Sequence, residues 1–198
     1  MSSIFLSLWI KLFFVFTPFF CLSMFLTITE NSTEAQRHAL AMRVSLAVFI
    51  ICMVLFFVGQ QLFDLFGITL NAFRIGAGIL LLLSAINLVQ GKPSNVPSIK
   101  DLEDVAVVPL AVPVIVGPAT VGTLLVHGAD LVSAMQKIAG CAALCAAVLC
   151  MLALLLLASA IQRAIGIRGI TILSKITGLI LSALSAQMIM TGVQAFLK

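Results

Sequence analysis

Apolar residues run along this chain in blocks of about twenty, separated by short polar stretches. Hydropathy places the blocks near residues 4–27, 43–65, 71–91, 105–126, 138–161 and 173–197. About 20 helical residues cross a bilayer core of about 30 Å, so each block is long enough to span a membrane. The pattern predicts six transmembrane helices. It leaves no room for a soluble domain, because the longest polar stretch, roughly 90–104, is too short to bury a core.

Composition gives the same answer about the class of protein. The chain is 62% hydrophobic and 9% charged, whereas soluble domains carry roughly 25% charged residues. We therefore expect an all-α integral membrane protein. The net charge of +4 does not indicate a nucleic-acid partner, because the basic residues are scattered at helix ends. The five cysteines lie within apolar runs without the spacing of metal ligands, so we expect no metal and no cofactor.

Basic residues are unevenly divided between the two sides of the predicted membrane. The loops after spans one, three and five carry Arg37, Arg43, Lys92, Lys100, Arg163, Arg168 and Lys175. The opposite side carries Arg74, Lys137 and Lys198, while Lys11 falls inside span one. The positive-inside rule then predicts a multi-pass membrane protein with those three loops in the cytoplasm and both termini outside it.

The two halves of the chain resemble each other at a shift of about 100 residues. The matching pairs are Thr17-Pro18 with Gly117-Pro118, Phe66-Gly67-Ile68 with Ile165-Gly166-Ile167, Gly78 with Gly178, and Asn87 with Gln187. This predicts an internal duplication, with repeats at about 1–91 and 105–198 joined by a cytoplasmic loop at 92–104. Three spans per repeat is an odd number, so the repeats have inverted topology, as in many secondary transporters.

Spans one and four are the predicted place for a substrate site. Span four has prolines at positions 109, 113 and 118, each of which removes a helical hydrogen bond. Freed carbonyls can bind a small cation, and the exposed amides of a half-helix can hold a carboxylate. The candidate substrate-binding residues are Thr17, Pro18, Gly117, Pro118, Thr120, Thr123, Asn87 and Gln187. The alternatives are a helix kinked for packing and amides that join helices at about 1 kcal/mol.

Catalytic chemistry is not indicated. All seven acids fall in loops or at interfaces, and both histidines, His38 and His127, fall at span ends. No predicted span therefore holds a central carboxylate for a proton relay or a general base, and we expect no enzyme. Lys11 is either a side chain that snorkels to the outer interface or a functional charge.

Two stretches of the sequence resemble a known family. Residues 59–91 read GQQLFDLFGITLNAFRIGAGILLLLSAINLVQG, and residues 107–123 read VVPLAVPVIVGPATVGT. The first is similar to the third-span signature of the MarC family of bacterial and archaeal inner-membrane proteins, and the second to its PLAIP and GP segment. The resemblance covers essentially the whole chain. It implies two inverted three-helix repeats and, by analogy with some archaeal relatives, transport of neutral amino acids.

Span one departs from the family pattern. The family's Asp-Pro-x-Gly-Asn-x-Pro is represented here by Thr17-Pro18-Phe19-Phe20-Cys21-Leu22-Ser23. Only Pro18 is kept, so the first repeat lacks most of the polar groups that could pair with Gly117-Pro118. The loss favours a more apolar substrate or a member that does not transport.

The leading functional hypothesis is a small inner-membrane transporter or exporter of an amino acid or similar metabolite, with its site near the midplane between spans one and four. The coupling cation is open. The alternative is a non-transporting scaffold or assembly protein that binds partner helices or lipid. An intramembrane enzyme is a third, weaker hypothesis. The expected partners are membrane lipid, a small-molecule substrate and a second copy of the chain. Lipid-facing and oligomer surfaces look alike in so apolar a chain, so the same apolar faces could contact either lipid or a second copy.

Overall fold

The computed structural model describes residues 2–91, Ala111 and residues 115–197. The predicted loop 92–104 and the prolines at 109 and 113 lie outside the described residues. Within them the chain forms α1 Ser2–Val15, α2 Pro18–Ile28, α3 Glu34–Phe66, α4 Leu70–Gln90, α5 Pro118–Asp130, α6 Ala134–Leu156 and α7 Ala158–Phe196, and no strand. Five helical segments there are long and apolar enough to cross a membrane. The predicted all-α integral membrane fold is confirmed. Predicted span four, 105–126, lies partly outside the described residues, so the count of six spans stays a prediction.

Helices begin at both predicted breaks. Span one, Phe5–Ile28, is divided between α1 and α2 at Thr17, which has a left-handed φ of 49°, and Pro18 is the first residue of α2. In span four, α5 begins at Pro118 with Gly117 as its N-cap. Proline is well tolerated at these positions, because the first amide of a helix has no intrahelical partner.

The boundary between the last two spans differs from the prediction. The stretch between 161 and 173, predicted as a loop, is helical on both sides of Gly166, where the backbone leaves the helical region with φ 67° and ψ 171°. α7 therefore consists of two helical segments, and residues 167–196 alone are about 45 Å long, half again as long as a bilayer core of about 30 Å. Its first turns can therefore lie in the interface, where Arg163 and Arg168 are tolerated. Because of those charges, the hydropathy pattern predicts a loop at this stretch.

The second span of each half, α3 in the first and α6 in the second, starts with the same cap. At the start of α3 the amide of Gln36 donates to Thr33 Oγ1 at 3.3 Å, and the amide of Thr33 donates to Gln36 Oε1 at 2.9 Å. At the start of α6, Ser133 and Gln136 make the same two bonds, each 3.2 Å. Such reciprocal capping satisfies two helix-end amides at once. The two caps lie 100 residues apart in the chain, which is the shift of the predicted duplication.

The third spans of the two halves, α4 and α7, cross with reciprocal contacts. A Cβ atom placed on Gly78 of α4 would lie 3.2 Å from the Ser185 carbonyl oxygen and 2.6 Å from Ile189 Cγ1. A Cβ placed on Gly178 of α7 would lie 2.9 Å from both the Ala85 carbonyl oxygen and Val89 Cγ2. Each glycine thus faces the equivalents of the other's partners, which is the pattern of a two-fold axis. The duplication stays a prediction, and this crossing supports it.

Apolar side chains also cover much of the outer surface. On α3, Leu46, Ile50, Val54 and Phe57 form an exposed stripe at helical spacing, and α7 exposes Ile172, Ile176 and Leu179. A surface of this kind is suited to lipid or to another membrane helix, since neither needs polarity. Polar side chains also line two cavities among the helices.

Candidate functional site

A polar cavity of about 180 Å³ opens among α1, α4, α5 and α7. It is lined by Lys11, Val15, Arg74, Leu81, Thr123, Val126, His127, Asp130, Leu184, Gln187, Met188 and Thr191. These residues come from the start of α4, the end of α5 and the last turns of α7, so the cavity lies at the end of the bundle where the chain begins and ends. We call it the terminal-side cavity.

The outer edge of the terminal-side cavity is crossed by an ion pair. Arg74 Nη2 of α4 donates to Asp130 Oδ1 at the end of α5, and Arg74 Nη1 donates to Asn71 Oδ1 at 2.9 Å. The paired side chains are 18% and 31% exposed. Gly122, where a Cβ would collide with Ala77, allows α5 to approach α4 this closely. The pair therefore joins two helices at the cavity mouth.

Lys11 is the other cation of the cavity. It is half-buried on α1. Its positive charge interacts electrostatically with the His127 imidazole, as do the charges of Arg74 and Asp130. Among the residues that the structure describes, none accepts a hydrogen bond from Lys11 or forms an ion pair with it. Counting His127 as neutral, the lining carries one positive charge that no neighbouring carboxylate offsets.

The cavity floor is formed by apolar side chains and one hydroxyl. Val15 and Leu81 are 3% and 2% exposed and pack with a buried cluster that includes Ala119 and Leu181. Thr123 is 4% exposed, and its hydroxyl has no hydrogen-bond partner among the described residues. A buried, unpaired hydroxyl costs about 1–3 kcal/mol. Asp130 and Thr123 are about 10 Å apart along α5. The cavity therefore extends inward from its mouth toward the two helix breaks.

Two of the eight predicted site residues, Thr123 and Gln187, line the terminal-side cavity. Thr17 and Pro18 are buried at the break in span one, and Gly117 and Pro118 start α5; none of these lines the cavity.

The remaining two predicted residues are occupied otherwise. The Thr120 hydroxyl donates to the Ile115 carbonyl at 2.7 Å, and Asn87 is exposed near the other end of α4. The cavity therefore lies toward the end of α5 and not at the predicted position between the breaks. Whether any of the eight residues binds a substrate stays a prediction.

A second polar cavity, of about 320 Å³, lies at the opposite end of α7. Its lining consists of Ser23, Leu26, Thr27, Glu30, Arg37, Gln162, Ile167 and Ile170. Arg37 orders this region by donating to the Thr29 carbonyl at 2.9 Å and to Ser159 Oγ at 2.8 Å. Along α7, Ile170 and Leu184 are about 21 Å apart. We call this the opposite cavity.

The linings of the two cavities correspond at the shift of the predicted duplication. Four positions of the opposite cavity each have a counterpart 100 residues later in the terminal-side cavity: Ser23 with Thr123, Leu26 with Val126, Thr27 with His127, and Glu30 with Asp130. In both sets a hydroxyl, an aliphatic side chain and an acid keep the same order along the chain. The two cavities therefore use equivalent positions of the two halves.

Sequence reasoning missed the charged part of the terminal-side cavity. The sequence places Arg74 on the side opposite the basic loops and Asp130 in a loop or at an interface, and it predicts no contact between them. The signal was present in the topology, because both residues were predicted on the side opposite the basic loops. Their pairing could not be predicted, since it depends on how closely α4 and α5 approach.

Comparison with protein-family profiles matches residues 2–197 to the family described as MarC family integral membrane protein. The chain belongs to the MarC family. The UPF0056 membrane protein YvbG of Bacillus subtilis is 30% identical over 98% of this chain and 96% of its own length. A UPF0056 membrane protein of Aquifex aeolicus is 29% identical over 98% of this chain and 94% of its own. YhcE of Escherichia coli is 29% identical over 96% and 92%. No solved structure gives a significant match.

The family resemblance inferred from the two sequence stretches is thereby confirmed, and it extends across nearly the whole chain. The MarC family match and the apolar helices agree that this is a multi-pass integral membrane protein. The names of these three relatives identify membrane proteins and state no substrate.

Proposed function

We propose that this MarC family protein is a secondary transporter or exporter of a small molecule, such as an amino acid or a similar metabolite. The observation that carries the proposal is the pair of cavities. They lie toward opposite ends of α7, and their linings use positions 100 residues apart. Inverted repeats give a transporter two equivalent access routes to one central site, of which one is open at a time.

The proposed transport cycle follows from the packing between the cavities. A substrate enters one cavity and rests above the apolar floor formed by Val15 and Leu81. The helix breaks at Thr17 and Gly117 lie below that floor and supply backbone groups outside a regular helix. Rocking of one repeat against the other, about the reciprocal α4–α7 crossing, then opens the opposite cavity. The Arg74–Asp130 pair would have to separate or tilt as the mouth changes.

The proposal includes the setting of the protein. The apolar stripes of α3 and α7 face lipid or a second copy of the chain. The membrane is the bacterial inner membrane, as the family resemblance implies, and both termini are on its outer side, as the distribution of basic residues predicts. The protein has no catalytic role and no resident cofactor in this proposal, and the coupling cation is left open.

The alternative function is a scaffold or assembly protein that binds a partner helix or lipid. An apolar groove of about 500 Å³ between α1 and α6 favours it, because its lining includes Trp9, Phe13 and Leu154 and offers almost no polar surface. The loss of the polar span-one motif favours it as well. The two functions differ in what they need: transport requires the polar cavities to carry solute, whereas a scaffold requires only the outer surface.

Solute counterflow in proteoliposomes tests the transport proposal. Vesicles loaded with unlabelled L-alanine should accumulate labelled L-alanine when they contain the protein, and a wider amino acid panel follows the same protocol. Thr191→Trp places a large side chain in the terminal-side cavity at an exposed position and should abolish counterflow. Met190→Trp is the matched control, because Met190 is 54% exposed on the same helix outside the cavity lining.

Equal counterflow in the two tryptophan variants would contradict the proposed route. Absence of counterflow for every solute of the panel would favour the scaffold. In that case, substitution in the α1–α6 groove, such as Phe13→Ser, should be the change that disturbs a partner.

A further inference from the structure

We propose that the ligand of the terminal-side cavity carries an anionic group, either as a free anion or as the carboxylate of a zwitterion, and that Lys11 is the residue that binds it. The inference rests on the proposed function of this cavity and names the substrate class. It depends on the charges and unpaired polar groups of the lining.

The charge balance of the cavity is the first argument. Arg74 and Asp130 neutralise each other, which leaves Lys11 as the surplus charge of the described lining. A half-buried cation inside a chain that is 62% hydrophobic is costly unless an opposite charge or hydrogen-bond acceptors compensate it. Among the described residues nothing does so. A bound anion supplies the missing charge.

The polar groups around Lys11 form the rest of a binding site. The Thr123 hydroxyl is buried and has no partner among the described residues, so it can donate a hydrogen bond to a ligand at no loss of an existing one. The Gln187 amide on α7 can donate as well. Lys11 on α1, Thr123 on α5 and Gln187 on α7 approach the same space from three helices. An anion with two or more acceptor oxygens matches this arrangement of donors.

A cationic ligand is disfavoured by the same geometry. The lining offers one carboxylate, Asp130, and Arg74 already binds it. A cation would have to break that pair and would also be repelled by Lys11. The cavity therefore discriminates by charge as well as by size.

Four compounds built on one three-carbon skeleton test the inference by thermal shift of the purified, detergent-solubilised protein. L-Lactate is an anion, L-alanine a zwitterion, L-alaninamide a cation and lactamide neutral; inorganic phosphate and L-glutamate serve as larger anionic probes. Ligands that bind only the folded state raise Tm. We expect the compounds with an anionic group to raise Tm and the two amides to leave it unchanged.

Variants of Lys11 connect the effect to that residue. Lys11→Met should weaken binding of the anionic probes at least tenfold, and Lys11→Arg should restore it. Lys175→Met is the matched control, since Lys175 is exposed on α7 and lines neither cavity. If Lys11→Met fails to fold, Thr123→Val is measured in its place. We expect Thr123→Val to weaken binding of the same probes by a smaller factor.

Three outcomes overturn the inference: no anionic probe raises Tm, the amides bind as well as the acids, or Lys11→Met and Lys175→Met behave alike. The first two leave the transport proposal to be judged by counterflow. Binding of L-alaninamide or lactamide with counterflow intact would mean that the route is right and the ligand class is wrong. Anion binding without counterflow would retain the site and reject transport.

Discussion

The reciprocal crossing of α4 and α7 predicts that Gly178→Ala destabilises the protein. The added methyl group would lie 2.9 Å from the Ala85 carbonyl oxygen and 3.0 Å from Leu88 Cβ. The backbone oxygen cannot move without displacing a turn of α4. Overpacking of this kind costs about 1–3 kcal/mol. Gly78→Ala should cost a similar amount, because its methyl group would lie 3.2 Å from both the Ser185 oxygen and the Ile189 nitrogen.

Gly76→Ala is the matched control on the same helix. Nothing lies within 4 Å of a Cβ at Gly76, so alanine should be neutral or stabilise by up to about 1 kcal/mol through its higher helix propensity. Unfolding in mixed micelles of increasing SDS content, followed by fluorescence of the single tryptophan, measures all three variants. The reasoning is refuted if Gly178→Ala and Gly78→Ala unfold at the same SDS fraction as Gly76→Ala.

Three further predictions concern the caps and the cavity. Thr33→Ala and Ser133→Ala should each lower the free energy of unfolding by about 1 kcal/mol, since the two residues make equivalent caps; an effect at only one of them would contradict that equivalence. A double-mutant cycle of Arg74→Met and Asp130→Asn should give a coupling of about 1 kcal/mol; zero coupling would mean that the pair does not hold the cavity mouth. Thr123→Val should keep or raise the free energy of unfolding, because it removes an unpaired buried hydroxyl. A clear loss of stability in the same SDS titration would show that the hydroxyl makes a hydrogen bond.

Much of the fold could be predicted because membranes constrain helices strongly. Apolar blocks of the required length indicated the spans, and proline at position 18 and at position 118 marked where α2 and α5 begin. The end of α6 and the start of α7 could not be predicted in the same way. A helix that continues into the interface carries charges such as Arg163, and hydropathy does not distinguish that from a loop.

The candidate site was predicted only in part, for a different reason. Proline and glycine indicated the helix breaks, but Thr17 at the first break is buried, and near the second break the Thr120 hydroxyl donates a hydrogen bond to the Ile115 carbonyl. The cavity lies a few turns away, where Lys11, Arg74 and Asp130 meet from three helices. Proximity of this kind depends on helix approach and rotation. A single sequence of so many apolar residues does not specify either.

Labelling of single cysteines from each side of the membrane tests most directly whether the two cavities are the two ends of one route. In a variant lacking the five native cysteines, Gln187→Cys reports on the terminal-side cavity and Thr27→Cys on the opposite one. A membrane-impermeant maleimide should react with position 187 only from the face that carries the termini and with position 27 only from the other face. Saturating ligand should change the two rates in opposite directions. The account would be contradicted if both positions reacted from the same face of the membrane, or if no ligand that binds changed the two labelling rates.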